Sequence, residues 1–193
     1  KEDSLYKLEK SVKEKQLALE QTQLALKERE ARIQELDSLL KAQKTASQLL
    51  REKLEQALYN FRNMGISVRE ENGKVYVSME AQLLFASGKT EVNKEGKEAL
   101  IQLAKIIQSE KDLNIIVEGH TDTDKISSSG AIPRDNWELS VLRATEVIKI
   151  MTSNSSLDPK QLSAAGRGEF HPVDPLDKSK NRRIEIILEP NLK

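Results

Sequence analysis

The chain has 193 residues, enough for one or two domains, and carries 31 basic against 31 acidic residues. With no basic excess to neutralise phosphates, nucleic acid is not an expected partner, and no apolar run reaches the ~20 residues that cross a bilayer. Cysteine is absent, which excludes disulfides, thiol nucleophiles and cysteine-based zinc sites.

The chain opens on KEDSLYKLEK with no signal peptide, which reads as a piece of a longer protein from which a membrane or lipid anchor upstream of Lys1 is missing. All eight glycines and all five prolines lie at or after Gly65. The first 64 residues are therefore free of the chief helix breakers and rich in Glu, Lys, Gln, Leu and Ala. One stripe repeats every seven residues through Leu5, Val12, Leu19, Leu26, Ile33, Leu40, Ser47, Leu54 and Phe61. Strict seven-residue spacing predicts a supercoiled helix, and hence a coiled-coil stalk over 1–64 that pairs as a homodimer. Packing of the helix on its own chain is the alternative. The companion stripe is half polar (Lys15, Thr22, Arg29, Gln43), and KAQKTAS at 41–47 is the weakest part of the seam. Gly65 stands where a left-handed C-cap is expected.

From Gly65 to residue 193 the period changes. ISVRE and KVYVSM alternate around Asn72-Gly73, a hairpin signal. NKEGKEALIQLAKIIQ puts Ala99, Leu100, Leu103, Ile106 and Ile107 on one helical face. LNIIVEG reads as a buried strand. DNWELSVLRATEVIKIM reads as a second helix, capped by Asp135 with Glu138, whose expected inner face is Trp137, Val141, Ala144, Ile148 and Met151. LSAAG and RIEIIL are two further strands. Strands alternating with helices predict a two-layer α+β domain.

The LNIIVEG strand discharges into EGHTDTDKISSSGAIPRDNWELSVLRA at 118–144. His120, Asp122 and Asp124 at alternate positions form a conceivable metal set, completed only by His171. The usual metal spacings, a nucleophile elbow and a phosphate-cradling loop are all missing, so neither a metal, a cofactor nor a catalytic residue is expected. Asp122 leaves a strand end, where ligands of open sheets sit, and Arg143 lies on the next helix. A carboxylate facing a guanidinium suits a ligand bearing both an ammonium and a carboxylate; a plain Asp122–Arg143 salt bridge pinning loop to helix is the other possibility.

Several motifs in order carry a resemblance. EGHTD (118–122), NWELSVLRA (136–144), NRRIEIIL (181–188), LFASGKTEVNKEGKEALIQLAKII (84–107) with Phe85 and Gly88 in its turn, and LSAAGRGEFHPV (162–173) together resemble the OmpA-like C-terminal domain. That peptidoglycan-binding family includes Pal lipoproteins and MotB stator proteins. The resemblance implies a mixed four-stranded sheet with helices on one face. It also implies a grip on the diaminopimelate of the stem peptide. Asp122 would take the ammonium and Arg143 the carboxylate, with Asn136 and the backbone around Thr121 supplying hydrogen bonds. Arg182, in the basic run DKSKNRR, is the candidate for acidic groups of the wall, with Gly88 and His120 as accessory positions. The 21 residues from Asp122 to Arg143 resemble the MotB branch more than Pal, and the intervening loop is either a lip over the ligand or a longer connection. The implied setting is the periplasm of a Gram-negative-type bacterium, where the protein tethers outer membrane or envelope complex to the wall. The alternatives are a motor stator, or a coiled-coil scaffold whose globular domain binds a protein.

Overall fold

The computed structural model describes residues 2–110, 112–126 and 132–191. The chain divides into two compact units, Lys1–Ala42 and Gln43–Lys193. The expected helix is continuous as α1 (Glu2–Ala57). In the first unit its stripe residues Leu5, Val12, Leu19, Leu26, Ile33 and Leu40 are exposed.

The second unit starts with the last turns of α1. Here the same helix turns inward: Ser47, Leu50 and Leu54 are buried, as is Leu58 just past its end. The Ser47 hydroxyl donates to the Gly73 carbonyl. A 3-10 turn (Tyr59–Met64) follows and ends on Gly65 at φ 89°, the left-handed conformation expected there. β1 (Ile66–Glu71) and β2 (Lys74–Glu80) form the hairpin, with both Asn72 and Gly73 at positive φ, as a two-residue turn of the I′ type requires.

The short α2 (Ala81–Leu84) and then α3 (Lys94–Ile107) lead to β3 (Leu113–His120). α4 (Asn136–Ser153) crosses to β4 (Leu162–Gly166), and a one-turn α5 (Lys178–Asn181) leads to β5 (Arg183–Pro190). The sheet has five strands in the order β1-β2-β5-β3-β4, with β3 and β4 parallel and the other pairs antiparallel. The fold is thus the expected α+β arrangement, with the edge strand β1 raising the sheet from four strands to five.

Alternation sorts the strands into two faces. Val75, Val77 and Met79 of β2, Ile184, Ile186 and Leu188 of β5 and Ile115 and Val117 of β3 are all buried in one core with α3 and the end of α1. α3 buries Ala99, Leu100, Leu103 and Ile107, as its period predicts. α4 differs from expectation. It buries Asn136, Leu139, Ser140, Arg143, Ala144, Val147 and Met151, while Trp137 and Val141 are 50% and 41% exposed. The apolar stripe misled because this helix turns polar residues inward. Glycine permits that packing: a Cβ on Gly119 would come within 2.1 Å of the Ser140 carbonyl oxygen, and one on Gly166 within 2.5 Å of the Ser140 hydroxyl. Without side chains at those strand positions, α4 lies against β3 and β4 and carries Asn136 and Arg143 to the strand ends.

Candidate functional site

A cavity of about 480 Å³ opens beyond the C-terminal end of β3. Four segments converge on it: Thr121 and Asp122 from the strand end, Asn136, Leu139 and Arg143 from α4, Phe85 and Gly88 from the turn after α2, and Arg182 just before β5. Their sequence separation is closed by the β5–β3 pairing, in which Arg183 opposes His120.

Arg143 is 5% exposed. Its Nε–H donates to the Lys89 carbonyl at 2.9 Å, and its guanidinium lies 4.8 Å above the Phe85 ring. Among the described residues no carboxylate comes within ion-pair distance of it. Burial, reinforced by the Arg182 charge and opposed by Asp122, lowers its pKa to about 10, so at neutral pH it stays a buried cation.

Asp122 is engaged, though not by Arg143. Arg182 Nη1 donates to its Oδ2 at 2.7 Å, and the Asp124 N–H donates to its Oδ1 at 3.0 Å. The simple Asp122–Arg143 salt bridge is therefore replaced by an Asp122–Arg182 pair, which leaves Arg143 facing the cavity. Asn136 pins the loop: its Nδ2 donates to the carbonyls of Asp122 and Asp124, each at 3.2 Å. The Thr121 N–H, expected to serve a ligand, donates to the Gly168 carbonyl at 2.9 Å. Among the described residues its buried hydroxyl has no hydrogen-bond partner. Gly88 sits on the rim at φ 69° with open space around it. The ring of contributions missing from the sequence reading, above all the Lys89 carbonyl, is backbone, which carries no side-chain signal. Residues 127–131 of the loop between Asp122 and Arg143, read as either a lip or a longer connection, lie outside the described residues.

The Asp135–Glu138 cap is half as expected. Asp135 accepts the Glu138 N–H at 2.8 Å, while the Glu138 carboxylate takes the N–H and guanidinium of Arg134 instead of closing the box.

His120 does not line this cavity. It points to the opposite sheet face, where its Nε2 is 3.7 Å from both Glu118 Oε2 and Glu185 Oε2. These three could bring ligand atoms within 4.8 Å of one another. Arg167 already pairs with Glu118, and Arg69 and Arg183 with Glu185, so a cation there would sit among three guanidinium groups. The arrangement is a buried charge network behind the site.

Comparison with known proteins gives consistent relatives. The profile of the OmpA family matches residues 84–185, which contain every site residue named above. Motility protein B of Bacillus subtilis (strain 168) is 34% identical over 118 residues, covering 59% of this chain and 44% of that protein's own length. Among solved structures, a MotB-like protein from Desulfovibrio vulgaris superposes with a TM-score of 0.72 at 26% identity, covering 80% of this chain and 98% of that one. The cell wall anchor of the T6SS from Pseudomonas aeruginosa gives 0.62 at 25% identity, covering 73% and 99%. With a profile that spans more than half of its residues and a fold shared with MotB-like domains, the chain belongs to the OmpA family.

Proposed function

We propose that this protein is a non-enzymatic module of the cell envelope that grips peptidoglycan through the cavity at Arg143. The observation that carries the proposal is a buried guanidinium without an acidic partner among the described residues, opening on a cavity. A buried cation is costly unless something pairs with it, and a carboxylate is the natural partner. A stem peptide carrying diaminopimelate offers that carboxylate beside a free ammonium. Its carboxylate meets Arg143, and its ammonium meets Asp122 in exchange for the half-exposed Arg182, which then turns toward acidic groups of the polymer. Asn136 and the Thr121 hydroxyl complete the frame.

The names of the relatives support this reading, since one structure is that of a cell wall anchor. A periplasmic, wall-attached location follows from the same reading. Relatives come from both Bacillus and Pseudomonas, and the proposed partner is accordingly the wall rather than one type of envelope. A stator of MotB type is the second reading, favoured by the 34% identity to motility protein B, and uses the same grip.

Co-sedimentation of the full chain with purified sacculi tests the proposal. Arg143→Ala and Asp122→Ala should each weaken binding roughly ten- to a hundredfold, the usual effect of losing a hydrogen bond to a charged group. Wild-type retention by Arg143→Ala, with the protein folded, would overturn it. A chain that ignores sacculi but captures a protein partner would favour the scaffold alternative.

A further inference from the structure

Trp137 and Phe170 stack on the surface with ring centroids 5.3 Å apart and planes at 28°, yet they are 50% and 59% exposed. Neither belongs to the core: α4 buries the neighbours of Trp137, Asn136 on one side and Leu139 beyond it. The pair is nevertheless tied to the site. Gly168 lies under both rings, where a Cβ would meet Phe170 at 3.4 Å and Trp137 at 3.6 Å. The carbonyl of that glycine accepts the Thr121 N–H. Asn136, one residue before Trp137, lines the main cavity. A second groove of about 280 Å³ shares Thr121 and Asp122 with that cavity and continues past them along Glu169, Pro172, Pro175 and Lys178, the residues that flank Phe170 and follow it.

We propose that the Trp137–Phe170 pair and this groove form a second subsite, which takes a pyranose ring of the glycan to which the stem peptide is joined. The inference rests on the wall-binding reading above and names the part of the polymer that this surface holds. A pyranose has an apolar C–H face and a rim of hydroxyls. The C–H face fits an exposed aromatic face, and the hydroxyls fit the Glu169 carboxylate and the Lys178–Asp124 ion pair at the groove. Two half-exposed rings present on the order of 200 Å², far below the ~800 Å² per partner of a stable protein interface. The groove mixes the Glu169 carboxylate with a Lys178 ammonium paired to Asp124, unlike the uniformly basic rim of a membrane-binding surface. A small aromatic patch seated on Gly168, whose carbonyl holds the Thr121 N–H at the edge of the ligand cavity, therefore suits a sugar ring.

Trp137 is the only tryptophan in the chain, so its fluorescence reports this subsite alone. The full chain is titrated with a diaminopimelate stem peptide and with the same peptide joined to its disaccharide. The disaccharide-peptide should bind about tenfold more tightly than the peptide and shift the Trp137 emission, whereas the peptide alone should leave it unshifted. Phe170→Ala and Trp137→Ala should bring the disaccharide-peptide down to the affinity of the peptide alone, and Trp137→Phe should restore part of the difference. Equal wild-type affinity for the two probes, or an unchanged emission on binding the disaccharide-peptide, would overturn the subsite while leaving the Arg143 grip standing. Binding of the disaccharide-peptide with the emission shift, but none of the peptide, would support the subsite and remove the grip. Binding of neither probe would overturn both.

Discussion

Glu118 and Glu185 face each other directly across neighbouring strands, and both are buried. Like charges at such positions repel, and each carboxylate is met by cations: Arg167 at Glu118, and Arg69 and Arg183 at Glu185. For Glu118 the His120 ring and the Arg167 guanidinium, working against burial, lower the pKa from 4.5 to about 2. A carboxyl with a depressed folded pKa adds stability above its unfolded value and loses it on acidification. The contribution, on the order of 3 kcal/mol, is full above pH 4.5 and fades as pH falls toward 2. Glu118→Gln should therefore lower the melting temperature at neutral pH and shrink the difference from wild type as pH falls through this window. Thermal unfolding followed between pH 7 and pH 2 checks both. A constant difference across that range would show that Glu118 acts through packing alone. Wall binding should survive the change at neutral pH, since Glu118 does not line the cavity that holds Arg143.

At the scale of the element, α1 uses one stripe in two ways. Its positions at Leu54 and Ser47 are fully buried within the second unit, whereas those at Leu26 and Ile33 are 55% and 65% exposed. We expect the exposed part to bury itself against a second copy, because apolar residues at seven-residue spacing suit a coiled-coil seam and stay exposed among the described residues of their unit. Leu26→Asp with Ile33→Asp should abolish self-association in sedimentation equilibrium and leave the melting of the globular unit unchanged. Leu54→Ala should do the reverse, costing about 2–5 kcal/mol of stability with the oligomeric state preserved. A wild-type chain that stays monomeric at tens of micromolar would remove the seam.

For the molecule as a whole, the end of α1 is part of the folded unit. Leu50, Leu54 and Leu58 are buried in the same core as β2, β3 and β5. Each buried leucine contributes about 1.5–3 kcal/mol, and together they rival the 5–15 kcal/mol by which domains are stable. A fragment of residues 43–193 should unfold cooperatively in urea and bind sacculi like the full chain. A fragment of residues 66–193, cut at the change of sequence grammar, should be strongly destabilised or fail to fold. Equal urea midpoints for the two fragments would show that the helix end adds nothing to the core.

Local pattern decided much by itself. The absence of Gly and Pro before residue 65, the Asn72-Gly73 turn, the period of α3 and the five apolar strands follow from backbone preferences that neighbours do not alter, and the ordered motifs carried the family and the positions of Asp122, Asn136, Arg143 and Arg182. Three things required the tertiary structure. The seven-residue stripe is the same on both sides of residue 43, so only packing determines where it meets its own core. The inward face of α4 depends on Gly119 and Gly166, which admit polar residues where apolar ones were expected. The partner of Asp122 depends on β5 lying beside β3: that pairing brings Arg182 to the carboxylate and leaves Arg143 with an open guanidinium, because charge pairing follows distance in space and 60 residues of chain separate the pair.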